Sequence, residues 1–239
     1  MKRTFAYGAA TNQGNWPTQE DGFFVDPGAG LFALADGFGG RGNGDIAAKT
    51  ALLKCRAPAG ERLPRDGGIY TPAQAWHRDL FGEINKNILG WNEKRAPAAR
   101  GGCSLIVASV EREKELVVTG CGACSAFLLR QGNWLSLLSP QSPPRAQPGD
   151  ALFPSQALGV GRELNPETRS LIWQPGDILF LFSSGLAWER EAYLAELAGQ
   201  AVLRAPGTDL AAVAALAADA GMGEGAPWNQ TALVVEALL

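Results

Sequence analysis

The chain has 239 residues, 46% hydrophobic and 19% charged, enough apolar material for one full core and too short for two large ones. Net charge is −3 and pI about 5.3, with no basic block beyond short pairs such as Lys2-Arg3, so nothing favours nucleic acid or an anionic membrane as a partner. No run approaches the roughly 18 uncharged apolar residues of a membrane span, and Asn12-Gln13 interrupts the N-terminus before a signal region could form, so a cytoplasmic location is expected.

Apolar runs, several β-branched or aromatic-rich, predict strands over 4–10, 22–26 and 31–36, before any helix. A helix over 44–56 follows. A second is announced by Thr71-Pro72-Ala73-Gln74, an N-cap with proline at the first helical position and Gln in the capping-box place. It puts Ala75, Leu80, Ile84, Ile88 and Leu89 on one apolar side. Strands are then expected over 103–110, 115–121, 125–130, 133–138, 169–173, 178–183 and 231–236, with helices over about 188–199 and 208–220 between the last of them. Strands before and after two helix pairs fit an α+β sandwich of two sheets with helices outside.

One stretch carries the chemistry. In LFALADGFGGRGNG an apolar strand ends in Asp36 and is followed by five glycines in the eight residues 37–44. An acid delivered to a loop nearly free of side chains suits a metal ion or phosphate. Gly-rich loops after strands are common, however, and this one alone does not decide the matter.

Together with Gln19-Glu20-Asp21 upstream, this stretch resembles the protein phosphatase 2C family of metal-dependent serine/threonine phosphatases, and the match continues in order from about Ala6 to Val235. Gly14 and Gln19-Glu20-Asp21 resemble the family's opening motif, with Trp16 in place of its arginine. Asp36-Gly37-Phe38-Gly39-Gly40 resembles its Asp-Gly-x-Gly-Gly. Gly122-Ala123-Cys124-Ser125, Phe182-Ser183-Ser184-Gly185-Leu186 and Trp228-Asn229-Gln230-Thr231 resemble Gly-Asp-Ser-Arg, Ser-Asp-Gly-Leu and Asp-Asn-x-Thr. The resemblance implies a four-layer α-β-β-α sandwich formed by residues 1–239 as one domain. It also implies a metal site built on Glu20, Asp36 and the Gly37 carbonyl, with Asp21 and Asn229 standing one layer behind. Asp21, like Asp45, also reads as a solvated turn or helix-start residue.

The family's remaining acids are missing. Ser184 and Trp228 stand where two metal-binding Asp residues belong, Ala123 replaces the acid used for an additional ion, and Trp16 removes the cation that would hold phosphate. Hard divalent cations need carboxylate oxygens, whereas a hydroxyl is neutral and an indole offers only an N–H. The expectation is a pseudophosphatase, a regulatory or scaffold protein with no metal or with weakly bound manganese or magnesium, binding a protein partner such as a kinase or phosphoprotein. The alternative is an active serine/threonine phosphatase running on ions held by Glu20, Asp36, the Gly37 carbonyl and water.

The remaining features read more plainly. The Pro/Gly-rich segment over 139–166 lies where the family carries a flap, and it contains Ala157-Leu158-Gly159. Cys121 and Cys124 have C-x-x-C spacing, yet residues three apart on strands point to opposite faces, and His77 is the only histidine to complete a zinc site. His77 is expected on a helix surface or in helix packing. Asp177 in Gln174-Pro175-Gly176-Asp177 reads as turn chemistry.

Overall fold

The computed structural model describes residues 4–39, 42–56, 72–111, 114–141, 154–184, 209–219 and 228–238, together with positions 197, 199 and 201. The strands are β1 Thr4–Asn12, β2 Asp21–Asp26, β3 Leu31–Gly39, β4 Gly101–Val110, β5 Glu115–Cys121, β6 Ser125–Arg130, β7 Asn133–Leu138, β8 Glu167–Ile172, β9 Ile178–Phe182 and β10 Gln230–Leu238. The helices are α1 Gly44–Cys55, α2 Pro72–Asn92 and α3 Leu210–Asp219. The expected helix over 188–199 lies almost wholly outside the described residues.

Two five-stranded antiparallel sheets result, ordered β1-β10-β9-β6-β7 and β2-β3-β4-β5-β8. Their strands alternate between two cores. In β3, Phe32 and Leu34 join a cluster between the sheets, while Leu31, Ala33 and Ala35 pack under α1 and α2. In β9, Leu179 and Leu181 face the other sheet, while Ile178, Phe180 and Phe182 pack under α3. Burial on both faces makes these strands continuous apolar runs rather than alternating ones. The four-layer α-β-β-α sandwich follows directly.

Four details depart from the sequence reading or sharpen it. β3 does not stop at Asp36 but runs to Gly39, because its register with β4 continues from Asp36↔Ser104 to Gly39↔Gly101. His77 has no surface role: it is fully buried on α2, with Nδ1 2.8 Å from Thr119 Oγ1, so the helix-packing option holds. Cys121, at the end of β5, packs on the helix side and Cys124, just before β6, packs between the sheets, and all four cysteines are free and buried. Asp177 is a turn residue as read: its Oδ2 accepts the Gln174 N–H, and Arg130 grips its two oxygens at 2.8 and 2.6 Å.

Residues 142–153 of the flap-like segment lie outside the described residues, but its C-terminal end is held firmly. Leu158 exchanges both backbone hydrogen bonds with Cys103 at 3.0 Å. Asn92 Nδ2 donates to Gly101 O and Gly159 O at 2.7 and 2.9 Å, and the Gly159 N–H donates to Asn85 Oδ1 at 2.8 Å. Two buried asparagines on the apolar side of α2 thus fasten the Ala157–Gly159 loop to β4. Their spacing of seven residues within an apolar stripe was the available sequence signal.

No helix among the described residues is long and apolar enough to cross a membrane.

Candidate functional site

Asp36 shares the parity of Phe32 and Leu34 and so projects toward the space between the sheets. Its cross-strand partner in the β2–β3 register is Asp21. Two acids directly opposite each other repel when both are ionised. Asp21 is therefore not the solvated turn residue that was one option: it lies on β2, and its Oδ2 is buried without a hydrogen-bond partner. Burial pushes the Asp21 carboxyl well above the usual carboxylate range, the Asp36 charge pushes the same way, and the hydroxyls of Ser183 and Thr231 oppose it. Asp36 is also raised, by burial first, with the hydroxyl and backbone N–H of Ser184 and the Asp21 side chain opposing. Burial thus raises both carboxyls of the pair.

This arrangement sets a pH dependence. An acid whose folded pKa is raised contributes stability that is fully present below its unfolded value, about pH 4, and is lost as pH rises through the folded value. The melting temperature should therefore decline as pH rises above the ordinary carboxylate range. Asp21→Asn, which copies the protonated form, should be the more stable protein at pH 8 and should flatten that decline. Parallel melting curves for the two proteins from pH 4 to 8 would show that the Asp21 carboxyl is not raised in this way.

Glu20, 3% exposed, sits at the end of the loop that precedes β2. Its Oε2 accepts the Trp16 indole N–H at 3.1 Å and its Oε1 accepts the Gly44 backbone N–H at 3.3 Å. Burial raises its pKa, and these two donors oppose the rise. Asn229 fixes the loop from behind: its Oδ1 accepts the Glu20 N–H at 2.8 Å, while its Nδ2 donates to Gln13 O and Thr18 O at 2.9 and 3.1 Å. Trp16 and Trp228 stack on each other, ring centroids 4.9 Å apart and planes tilted by 40°. Both rings are half-buried.

Gly37 lies buried beside α1, and its N–H donates to Glu20 O at 3.1 Å. The Ser184 backbone N–H donates to Asp36 Oδ2 at 2.8 Å. Ala123 is a buried turn residue whose N–H donates to Ser104 Oγ at 3.0 Å. Asp45 opens α1 and pairs with Lys49 at 2.9 Å. The structure thus gathers Glu20 with Trp16, and Asp36 with Asp21 and Ser184. The hydroxyls of Ser183 and Thr231 also belong to this region and were not singled out from sequence, because short polar residues in or just after apolar strands carry no periodic signal. The set is short of ligands for a binuclear metal centre: Glu20 and Asp36 already accept protein N–H groups, and Ser184 and Trp228 are neutral where the resemblance implies acids.

Two packed antiparallel sheets between helical layers, with acids where β2 and β3 run side by side, define the protein phosphatase 2C sandwich. No family model matches the chain, and no curated protein matches it significantly. Solved structures do share its fold. PppA, a key regulatory component of the T6SS in Pseudomonas aeruginosa, is 24% identical over 98% of each chain, with TM-score 0.79. The serine/threonine phosphatase PstP/Ppp of Mycobacterium tuberculosis is 20% identical over 97% of this chain and 98% of that one, with TM-score 0.75. The catalytic domain of PstP in complex with two manganese ions is 20% identical over 99% and 100% of the two chains, with TM-score 0.77. The chain has the fold of these metal-dependent phosphatases.

Proposed function

We propose that this protein is a pseudophosphatase, a regulatory or scaffold protein that keeps the phosphatase 2C fold and binds a protein partner, a kinase or phosphoprotein of a phosphorylation-linked system in the cytoplasm. One observation carries this reading. The carboxylates kept from the family pattern, Glu20 and Asp36, already receive hydrogen bonds from Trp16, Gly44 and Ser184. Two of these donors come from positions where the resemblance implies a cation or an acid. A divalent ion would share these oxygens with protein donors and would find two carboxylates where four are expected, so it loses both the ligand count and the charge that hold such ions. Metal-bound water and a charge clamp on phosphoryl oxygens are what a metal phosphatase supplies, and neither has a foundation here. That PppA is described as a regulatory component agrees with a regulatory role for this fold.

The test is direct. With millimolar manganese or magnesium, the protein should hydrolyse neither p-nitrophenyl phosphate nor phosphopeptides, and calorimetry should show weak binding or none. Two sites of micromolar affinity, or metal-dependent hydrolysis lost in Asp36→Ala, would establish the active phosphatase instead.

A further inference from the structure

Beside the β3 loop, on the side of Phe38 and Gly39, a cavity of about 300 Å³ opens between the C-terminal end of α2, the start of β4 and the loop at Gly159. That volume lies at the lower end of the range for ligand pockets, roughly 300–1,000 Å³. Its apolar wall comes from Phe38, Leu89 and Val160, the last 61% exposed. Its frame is preformed, since Asn92 ties Gly101 to Gly159 through its amide.

Two charged side chains line the cavity, Glu93 and Arg100. Arg95 is committed to the helix end, stacked 3.6 Å over the Trp91 ring with Nη1 donating to Trp91 O. Arg162 meets Glu93 only at 3.8 Å with both side chains exposed, a pair of little strength. Arg100 lines the cavity and spends only its Nε, on Arg95 O at 3.4 Å, so its terminal nitrogens have no partner among the described residues. An uncommitted guanidinium at the mouth of an apolar cavity asks for an apolar group with a carboxylate beside it.

We propose that this cavity is a docking site for an acidic segment of a partner protein, with a leucine- or phenylalanine-sized side chain against Phe38, Leu89 and Val160 and a neighbouring Asp or Glu on Arg100. The site deepens the reading of the protein as a binder and needs no metal. Occupancy would bear on Phe38, two residues from Asp36.

The probe is the peptide acetyl-Glu-Asp-Leu-Glu-amide, titrated into the full chain while the amide shifts of Gly101, Gly102 and Gly159 are followed by NMR, with the Gln-Asn-Leu-Gln isostere as control. Saturable shifts of these glycines with the acidic peptide alone are expected. They should weaken as salt is raised and be at least about tenfold weaker in Arg100→Glu, while Arg169→Glu, on edge strand β8, should leave them unchanged. No shift at millimolar peptide, equal shifts with the isostere, equal loss in Arg169→Glu, or a response only to a phosphoserine version of the peptide would overturn the proposal. Metal-dependent hydrolysis would sink the pseudophosphatase reading and leave this site standing, whereas a silent titration would do the reverse.

Discussion

Ser184→Asp combined with Trp228→Asp and Trp16→Arg should yield a protein that manganese stabilises. The three changes place one carboxylate beside Asp36 and another beside position 16, remove the indole that donates to Glu20, and supply a guanidinium fork suited to phosphate. Without metal the variant should lose stability, for two reasons. The Trp16–Trp228 stack, with centroids 4.9 Å apart, disappears, and one more acid joins the Asp21–Asp36 pair. We expect a metal-free loss of about 3 kcal/mol or more in urea unfolding, the scale of truncating a packed aromatic side chain. Manganese at a hundredfold excess over its dissociation constant should return about 2.7 kcal/mol by linkage, and a detectable phosphatase rate should accompany it. A variant that folds yet shows neither metal-dependent stabilisation nor hydrolysis would mean that the backbone no longer places these positions as the family does.

Gly37→Ala should be among the most damaging single methyl additions in the protein. A Cβ there would lie 2.2 Å from Gly44 O and 2.7 Å from Glu20 O, both backbone atoms that cannot swing aside. Relieving the clash requires α1 to back away from β3. That movement also takes the Gly44 N–H off Glu20 Oε1, where it now sits at 3.3 Å. A loss of at least about 3 kcal/mol, or failure to fold, is expected. Gly82→Ala on α2 is the control, since its Cβ meets nothing within 4 Å. That change should stabilise the protein by up to about 1 kcal/mol, as alanine does in an open helix position. Equal stabilities of the two variants in urea would show that α1 and β3 do not approach this closely.

The sequence by itself determined the layers. Runs such as Leu31–Ala35 and Ile178–Phe182 are apolar on both faces, and that pattern depends only on neighbours along the chain, so ten strands and the long helices α1 and α2 were legible within a few residues. It also showed which acids were missing, because Ser184 and Trp228 sit inside recognisable motifs. Only the tertiary structure decided what the remaining groups do. Asp21 read as solvated or supporting until the β2–β3 register set it opposite Asp36. Asn229 read as a residue near the metal until its amide was seen holding a loop more than two hundred positions away. Ser184 became a donor to Asp36 across 148 positions, and Asn85 and Asn92 became the fastening of the 157–159 loop. The reason is physical: an element is specified by periodicity over a few turns, whereas a buried polar group takes its role from whichever donor or acceptor the packed chain brings within about 3 Å of it.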